Sequence, residues 1–443
     1  MKLDTIFKAY DVRGVYPDEI DEGTARAIGS AFARFAESPR IIVGRDMRVS
    51  SGPLGDAFIE GVNDAGVDAL DLGLVSTDLV YFASGDLGLP GAMFTASHNP
   101  AKYNGIKFCR AGAAPVGQDT GLDRIKELAT QPFRAERLGS VEHADLLEAF
   151  ADHLLRLVKP EAMRPLTVAI DAANGMGGKV VPAVFERLPS RVIPLYFELD
   201  GTFPNHPADP IQPANLVDLQ RAVLDNNADI GLAFDGDADR VFLVDEKAEP
   251  VSGSLTTALV AKRILHAEPG ATIIHNVISS RVVREVIAEN GGTAVRSRVG
   301  HSFIKDLMAK TGAAFAGEHS GHYYFRDNYR ADSGLLAALY VLETMSIEDK
   351  TLSELLAPLR RYAASGEINI EVADQTAVID KIAAAFGDGS ADRLDGLTVD
   401  YDDWWFNVRP SNTEPLLRLN VEAKDEALLA AKTDELVRLI KEG

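Results

Sequence analysis

Short apolar, β-branched runs alternate along the chain with stretches in which hydrophobic residues recur every three or four positions. That alternation predicts strands and amphipathic helices in turn, the pattern of an α/β protein. Three runs share one look: 41–43 before Gly44, 166–170 before Asp171 and 272–274 before His275. Each is answered further on by a second apolar run that opens into a polar loop. The second runs are 92–94 before Thr95-Ala96-Ser97-His98-Asn99-Pro100, 230–234 before Asp235-Gly236-Asp237-Ala238-Asp239-Arg240, and 313–316 before Gly317-Glu318-His319-Ser320-Gly321-His322. This reads as one α/β unit used three times, presenting loops at the C-terminal ends of strands, where ligands bind in α/β sheets.

Leu146, Leu147, Phe150, Leu154, Leu157 and Val158 recur at helical spacing and predict one helix over 141–158, stopping before Pro160. Further seams fall at the Pro, Ser and Gly cluster of 247–253 and at 363–366, after a helix over 352–359. The expected domains are 1–150, 151–250, 251–363 and 364–443. The last has a different plan: a strand over 368–372, a helix over 378–386, strands over 404–408 and 416–421, and a closing helix carrying Leu428, Leu429, Leu436, Leu439 and Ile440.

Composition narrows the class. The 443 residues are 46% hydrophobic and 25% charged, which excludes a disordered or fibrous chain. A net charge of −21 argues against nucleic acid and anionic membranes as partners. It leaves a small anion open. Cys109 is the single cysteine, so no intrachain disulfide forms, which suits a reducing compartment. Asp4, Lys8 and Asp11 interrupt the start where a signal peptide needs apolar residues, and no apolar run approaches the ~18 residues of a membrane span. The expectation is a soluble cytoplasmic protein.

The sharpest chemical signal is Asp235, Asp237 and Asp239, alternate carboxylates with small residues between them. Such oxygens suit a hard divalent cation, and Mg²⁺ completes its shell with water or substrate phosphate. An EF-hand reading fails on Arg240, which stands where that loop needs glycine, and on the strand-like flanks. Ser97, beside His98 and Asn99 at a strand end, reads either as a nucleophile or as a turn residue. Glu318 and Ser320 can grip sugar hydroxyls. His319 and His322 lack partners at a zinc spacing, and His319 reads as a satisfied loop histidine. Arg409, Ser411, Asn412 and Thr413, with Arg418 beyond, offer the donors of a phosphate clasp or simply a turn between prolines. Trp404 and Trp405 read as alternating core and rim of a strand. Arginines beside glycines in 7–14 and 44–51 read as salt-bridged basic loops.

In this order, TASHNP, DGDADR, GEHSGH and RPSNTEP resemble the α-D-phosphohexomutase family. The opening FKAYDVRG and the GEHSGH loop are similar to its phosphomannomutase/phosphoglucomutase branch, and 322–334 with 403–420 resemble bacterial members of actinobacterial type. The resemblance implies an α/β protein of four domains around a central cleft, three similar mixed α/β domains plus a C-terminal α+β domain like the TATA-binding protein. It implies that Ser97 carries a phosphoryl group whose oxygen joins Asp235, Asp237 and Asp239 on Mg²⁺. Lys107, Arg13 and His98 would stand by the reacting hydroxyl, with Arg240 on the transferring group. Glu318, Ser320, His301 and His322 would hold the sugar. Arg409, Ser411, Asn412, Thr413 and Arg418 would clasp the distal phosphate. Some members carry a lysine near the place of Ile278, and Arg281 is the nearby candidate to replace it.

The implied activity is an isomerase reaction, interconverting mannose 6-phosphate and mannose 1-phosphate through a phosphoserine enzyme and a hexose 1,6-bisphosphate, with glucose phosphates also accepted. A phosphoglucosamine mutase or a Mg²⁺-dependent sugar phosphatase are the alternatives. The partners are small sugar phosphates. Five cations gathered toward one cleft predict a locally positive funnel in a negative body.

Overall fold

The computed structural model describes residues 2–411 and 416–442. Four sheets follow one another along the chain. The first has the spatial order Val12–Val15, Tyr103–Arg110, Gly91–Phe94, Arg40–Arg45, Asp68–Leu74 and Val141–His143, with Ala114–Pro115 against Tyr103–Arg110. The second runs Pro250–Val251, Val241–Asp245, Ile230–Phe234, Thr167–Asp171, Arg191–Leu195, and the third runs Thr293–Ser297, Thr272–Asn276, Phe315–Gly317, Tyr323–Phe325, Ala331–Asp332. The fourth, Ala363–Glu371, Leu416–Ala423, Trp404–Pro410, Leu397–Asp400 and Ser390–Asp392, is antiparallel throughout.

The first three sheets share a plan that explains why three unusual loops recur. In each, a buried parallel strand turns back as an antiparallel hairpin. Phe94 pairs with Ile106, Phe234 with Val241 and Gly317 with Tyr323. The three polar loops are the turns of these hairpins, at equivalent places in three equivalent sheets. Parallel strands covered on both faces must be apolar throughout, and Gly91–Phe94 and Ile230–Phe234 are buried at every position.

Side-chain caps start the flanking helices: Asp21 accepts from the Thr24 N–H, Ser252 from Leu255 and Ser333 from Leu336. One apolar core runs through the second and third sheets and one face of the first, joining residues such as Met93, Phe82, Phe234 and Leu336. The other face of the first sheet has its own core around Phe32, Phe58 and Phe108. The fourth sheet also has a separate core, around Phe406, Leu419 and Leu436.

Three element expectations need correction. The helix over 141–158 is shorter, Leu147–Arg156, because Val141–His143 forms an edge strand parallel to Asp68–Leu74. Val141 is exposed, so it never belonged to the apolar stripe that suggested a longer helix. The expected strand over 313–316 lies later, at Phe315–Gly317, and the helix over 352–359 ends at Leu356 and tightens into a 3₁₀ turn, Ala357–Leu359. No helix among the described residues is long and apolar enough to cross a membrane.

Candidate active site

The Ser97 loop and the aspartate loop meet face to face. Ser97 Oγ donates to Asp235 Oδ2 at 2.6 Å and accepts from Arg240 Nη2 at 3.1 Å. The serine is held at φ +50°, a region that a non-glycine residue adopts only when its surroundings impose it. Those surroundings are visible: the Ser97 N–H donates to Thr95 Oγ1 at 2.8 Å, and Arg48 Nη2 donates to the Ser97 carbonyl at 2.8 Å. A Cβ at Gly236 would lie 2.5 Å from the Ser97 carbonyl oxygen, so only glycine lets the two loops touch.

Arg48 is the clearest residue that sequence reasoning set aside. Its fully buried guanidinium donates to the carbonyls of Ser97, Asn99, Pro100 and Tyr103 and pairs with Asp46, stapling the loop from beneath. Its surroundings of carbonyls are set by tertiary contact, so no local motif could mark it. Thr77 is another omission: it opens helix Thr77–Leu87 and donates from Oγ1 to Asp237 Oδ2 at 2.6 Å.

Lys107 Nζ lies 2.8 Å from Asp237 Oδ2 and 2.7 Å from Asp239 Oδ2. Burial works against its charge, but the two carboxylates outweigh burial and raise its pKa, so it stays an ammonium. The same pairing holds Asp237 below the usual carboxylate range against burial. Burial first, then the neighbouring carboxylates against Arg240's opposing pull, pushes Asp235 up to about 7. Burial and Asp237 also raise Asp239. Negative charge is therefore crowded beyond what Lys107 and Arg240 neutralise.

That crowding fits a cation. Oxygens of Asp235, Asp237 and Asp239 all lie within 4.8 Å of one another, and Asp237 Oδ1 and Asp239 Oδ1 are buried with no hydrogen-bond partner. Buried carboxylate oxygens without donors are costly unless something positive meets them. A second group, Asp239, His322 and Asp332, is less suited, because Lys305 Nζ already lies 2.8 Å from Asp332 Oδ1.

The remaining expected residues divide. Arg13 donates to the Ala96 carbonyl at 3.0 Å and Asn99 Oδ1 at 2.6 Å and pairs with Asp11, which places it against the Ser97 loop. His98 Nδ1 is 3.3 Å from Ser97 Oγ, and the Arg240 charge, then burial and Arg13, hold its pKa well down, so the ring is neutral. Glu318 is buried and accepts from the Tyr324 hydroxyl at 2.6 Å and Asn276 Nδ2 at 3.3 Å. Ser320 Oγ is 3.3 Å from His322 Nδ1, and His322 Nε2 reaches toward Asp239 at 3.7 Å, linking the third loop to the aspartates. His301 sits edge-on to Tyr10, its ring centroid 5.5 Å away, and burial, then Lys305, lowers it to about 3.

Arg409 and Arg418 share one carboxylate, Glu367, at 2.8 and 3.3 Å. Ser411 stands just past Arg409 at the strand end, whereas Asn412 and Thr413 lie outside the described residues. Three expectations are corrected here. His319 is not a satisfied loop histidine: its Nδ1 is buried without a hydrogen-bond partner, and burial, against the opposing pull of Glu367, lowers its pKa. Arg281 does not take a lysine's place by the sugar loop, because its guanidinium is bound to the turn at 400–404 of the fourth sheet. Trp404 and Trp405 do not alternate between core and rim, since both are buried.

Comparison with known proteins now decides the family. Models of the phosphoglucomutase/phosphomannomutase α/β/α domains I, II and III match residues 4–134, 148–249 and 252–362, and that of the C-terminal domain matches 367–439. The chain belongs to the phosphohexomutase family. It is 40% identical over 456 residues to a phosphomannomutase of Escherichia coli K12, covering 100% of each chain. It is 38% identical over 442 residues to phosphohexose mutases of Xanthomonas campestris, covering 98% of this chain and 99% of the relative. A crystal structure of a phosphoglucomutase/phosphomannomutase family protein from Burkholderia thailandensis superposes with a TM-score of 0.92 at 34% identity, covering 100% of this chain and 98% of the other. The four-domain α/β architecture is thus the family's.

Proposed function

We propose that the chain is a phosphomannomutase, an isomerase that interconverts mannose 6-phosphate and mannose 1-phosphate and also accepts glucose phosphates. The observation that carries the reading is Ser97 Oγ, held between Asp235 and Arg240 at the meeting of two loops. Relatives named phosphomannomutase, near 40% identical over the whole chain, favour this substrate over glucosamine phosphate. The domain division at 150, 250 and 363 belongs to the same reading.

In the resting enzyme Ser97 carries a phosphoryl group. Its transfer to a sugar hydroxyl breaks the Oγ–P bond and forms a new O–P bond, giving a hexose 1,6-bisphosphate. The hydroxyl's proton passes to an oxygen of the transferring phosphoryl group as the O–P bond forms; His98 stands beside the leaving Oγ, and the Arg240 charge, then burial, keeps its ring neutral there. Arg240, Lys107 and Arg13 hold positive charge around the equatorial oxygens, where phosphoryl transfer gains most from it. Asp235, Asp237 and Asp239 would hold Mg²⁺, which neutralises charge on the transferring group when bound. The bisphosphate then turns end over end, and Ser97 Oγ takes its other phosphoryl group, leaving the isomeric monophosphate.

The turn explains the binding residues. One clasp of Arg409, Arg418 and Ser411 must accept either phosphate. Glu318 and Ser320 must read hydroxyls that exchange places, which O3 and O4 do. The C2 hydroxyl that separates mannose from glucose need not be read. Purified protein given a trace of hexose 1,6-bisphosphate and Mg²⁺ should interconvert the mannose phosphates with little release of inorganic phosphate. Steady phosphate release would point to a phosphatase, and a higher kcat/KM for glucosamine phosphate to the other mutase.

A further inference from the structure

The fourth domain, with its separate apolar core, is joined to the third by polar contacts from Arg281, Arg284, Arg296 and the Val299 N–H, and Arg281 makes the largest share of them. Arg281 opens helix Arg281–Glu289, and its side chain is 9% exposed. Nη1 donates to the Asp402 carbonyl at 2.6 Å. Nη2 reaches the Tyr401 carbonyl at 2.6 Å, Asp400 Oδ1 at 2.6 Å and the Trp404 carbonyl at 3.3 Å. The four acceptors lie in the turn between strands Leu397–Asp400 and Trp404–Pro410 or on the strand residues that flank it.

The contact is reciprocal. Glu422, on strand Leu416–Ala423, accepts the Arg281 backbone N–H at 2.9 Å, so a carboxylate of the fourth domain meets a helix N-terminus of the third. The same oxygen accepts from Trp405 Nε1 at 2.7 Å. Two of the three strands gripped here carry the phosphate clasp, Arg409 on one and Arg418 on the other.

We propose that Arg281 is a positioning residue that fixes where the distal-phosphate clasp stands relative to the sugar loop. Five residues of strand separate Trp404 from Arg409, roughly 17 Å at the rise of a strand. A rotation of ~10° at the Arg281 end moves the clasp by about 3 Å, enough to take it out of hydrogen-bond reach. Only a planar guanidinium supplies this many donors in one plane, and a lysine ammonium cannot reach three carbonyls and a carboxylate together. What the clasp holds rests on the phosphomannomutase reading; the latch does not.

The test compares wild type with Arg281→Ala, Arg281→Lys and Asp400→Asn. Arg281→Ala should raise KM for mannose 1-phosphate about tenfold while kcat stays within about threefold, the signature of lost uniform binding. Arg281→Lys should recover only part of that loss. Hydrogen exchange, which needs no substrate, should rise in 404–410 and 416–423 and stay unchanged in 167–171. Both tryptophans of the chain, Trp404 and Trp405, lie at the latch, so emission of the free protein should shift as well.

A KM within twofold of wild type with unchanged exchange overturns the proposal, as does full rescue by lysine. If the alanine variant does not fold, the lysine and asparagine variants decide by the same KM and exchange readouts. If wild type does not turn over mannose phosphates, the functional reading falls, and exchange at 404–410 still decides the latch.

Discussion

Ser97 and Asp235 stand 138 positions apart in the chain, yet the serine hydroxyl donates to the carboxylate at 2.6 Å. The contact crosses from the first sheet to the second and places the proposed phosphoryl carrier against the proposed metal ligands. Arg48 fixes the Ser97 loop from beneath, and the glycine at 236 lets the aspartate loop close on it.

Ser97→Ala should therefore lower kcat by about 10⁴-fold or more, the scale for loss of a covalent nucleophile. Asp235 keeps Arg240 as partner, so Tm should stay within about 4 °C. Intact mass should show one phosphoryl group on part of the wild-type preparation, mapping to Ser97, and none on the variant. A variant of near-native rate would remove Ser97 from the donor role.

Lys107→Met removes the ammonium that two buried carboxylates face. Breaking a buried pair from one side costs about 3–5 kcal/mol, because the remaining charge is uncompensated. Urea unfolding in a chelator should show a loss of that order, and saturating Mg²⁺ should return much of it through linkage. Turnover should fall by about 10²–10³-fold even with Mg²⁺, since a charge beside the transferring group is gone. No Mg²⁺ effect on the variant's stability would argue against the three aspartates as the metal site.

The loops that carry this chemistry were legible because each is short, local and rich in one kind of group. The spacing of Asp235, Asp237 and Asp239 pointed to a cation site, and the structure gathers their buried carboxylates within 4.8 Å of one another; the repeated strand-then-loop pattern gave the three hairpin turns. What stayed hidden is made by distance in sequence. Arg48 looked like any basic loop residue until four carbonyls closed on it. Glu367 carries no motif and Tyr324 was given no role, yet one pairs with both Arg409 and Arg418 and the other donates to Glu318. The expected helix start at 141 fell too early because edge pairing of Val141 with the first sheet, which no local spacing reveals, decides the conformation there.

Glu318→Gln tests the exchange of hydroxyls. Both carboxylate oxygens already accept from a donor, so an amide turns one of them into a donor facing a donor. Hydrogen bonds to a charged group contribute about 1.5–3 kcal/mol, so kcat/KM should fall about 10²-fold. The fall should be alike for mannose and glucose phosphates if the loop reads O3 and O4. A loss confined to one sugar would show that the C2 hydroxyl is read.

His206 supplies a pH dependence away from the reacting atoms. Its Nε2 is 2.9 Å from Asp171 Oδ2. Burial opposes protonation, but the Asp171 hydrogen bond and charge outweigh it and raise the pKa. A raised folded-state pKa means the stabilisation is complete below the unfolded value near 6.5 and is lost as pH rises through the folded one. His206→Gln should cost about 1.5–3 kcal/mol below pH ~6 and much less above pH ~8. Urea titrations at the two pH values check it; an equal cost at both would show that the pair contributes no charge.

Salt dependence refines the expectation of a positive funnel. Arg13 is paired with Asp11, Lys107 with two aspartates, Arg240 with Asp235, and Arg409 and Arg418 with Glu367. The protein's own charges in the cleft are thus nearly matched, and a bound divalent cation would tip the balance positive. Capture of a sugar phosphate dianion should then weaken with ionic strength, as the Debye length falls from ~30 Å at 0.01 M to ~8 Å at 0.15 M. KM should rise about threefold over that range in saturating Mg²⁺ while kcat holds, because the reacting charges are buried and poorly screened. Arg418, 30% exposed, is more open to solvent than Arg409, so Arg418→Gln should flatten the dependence. A KM indifferent to salt would place recognition in short-range hydrogen bonds alone.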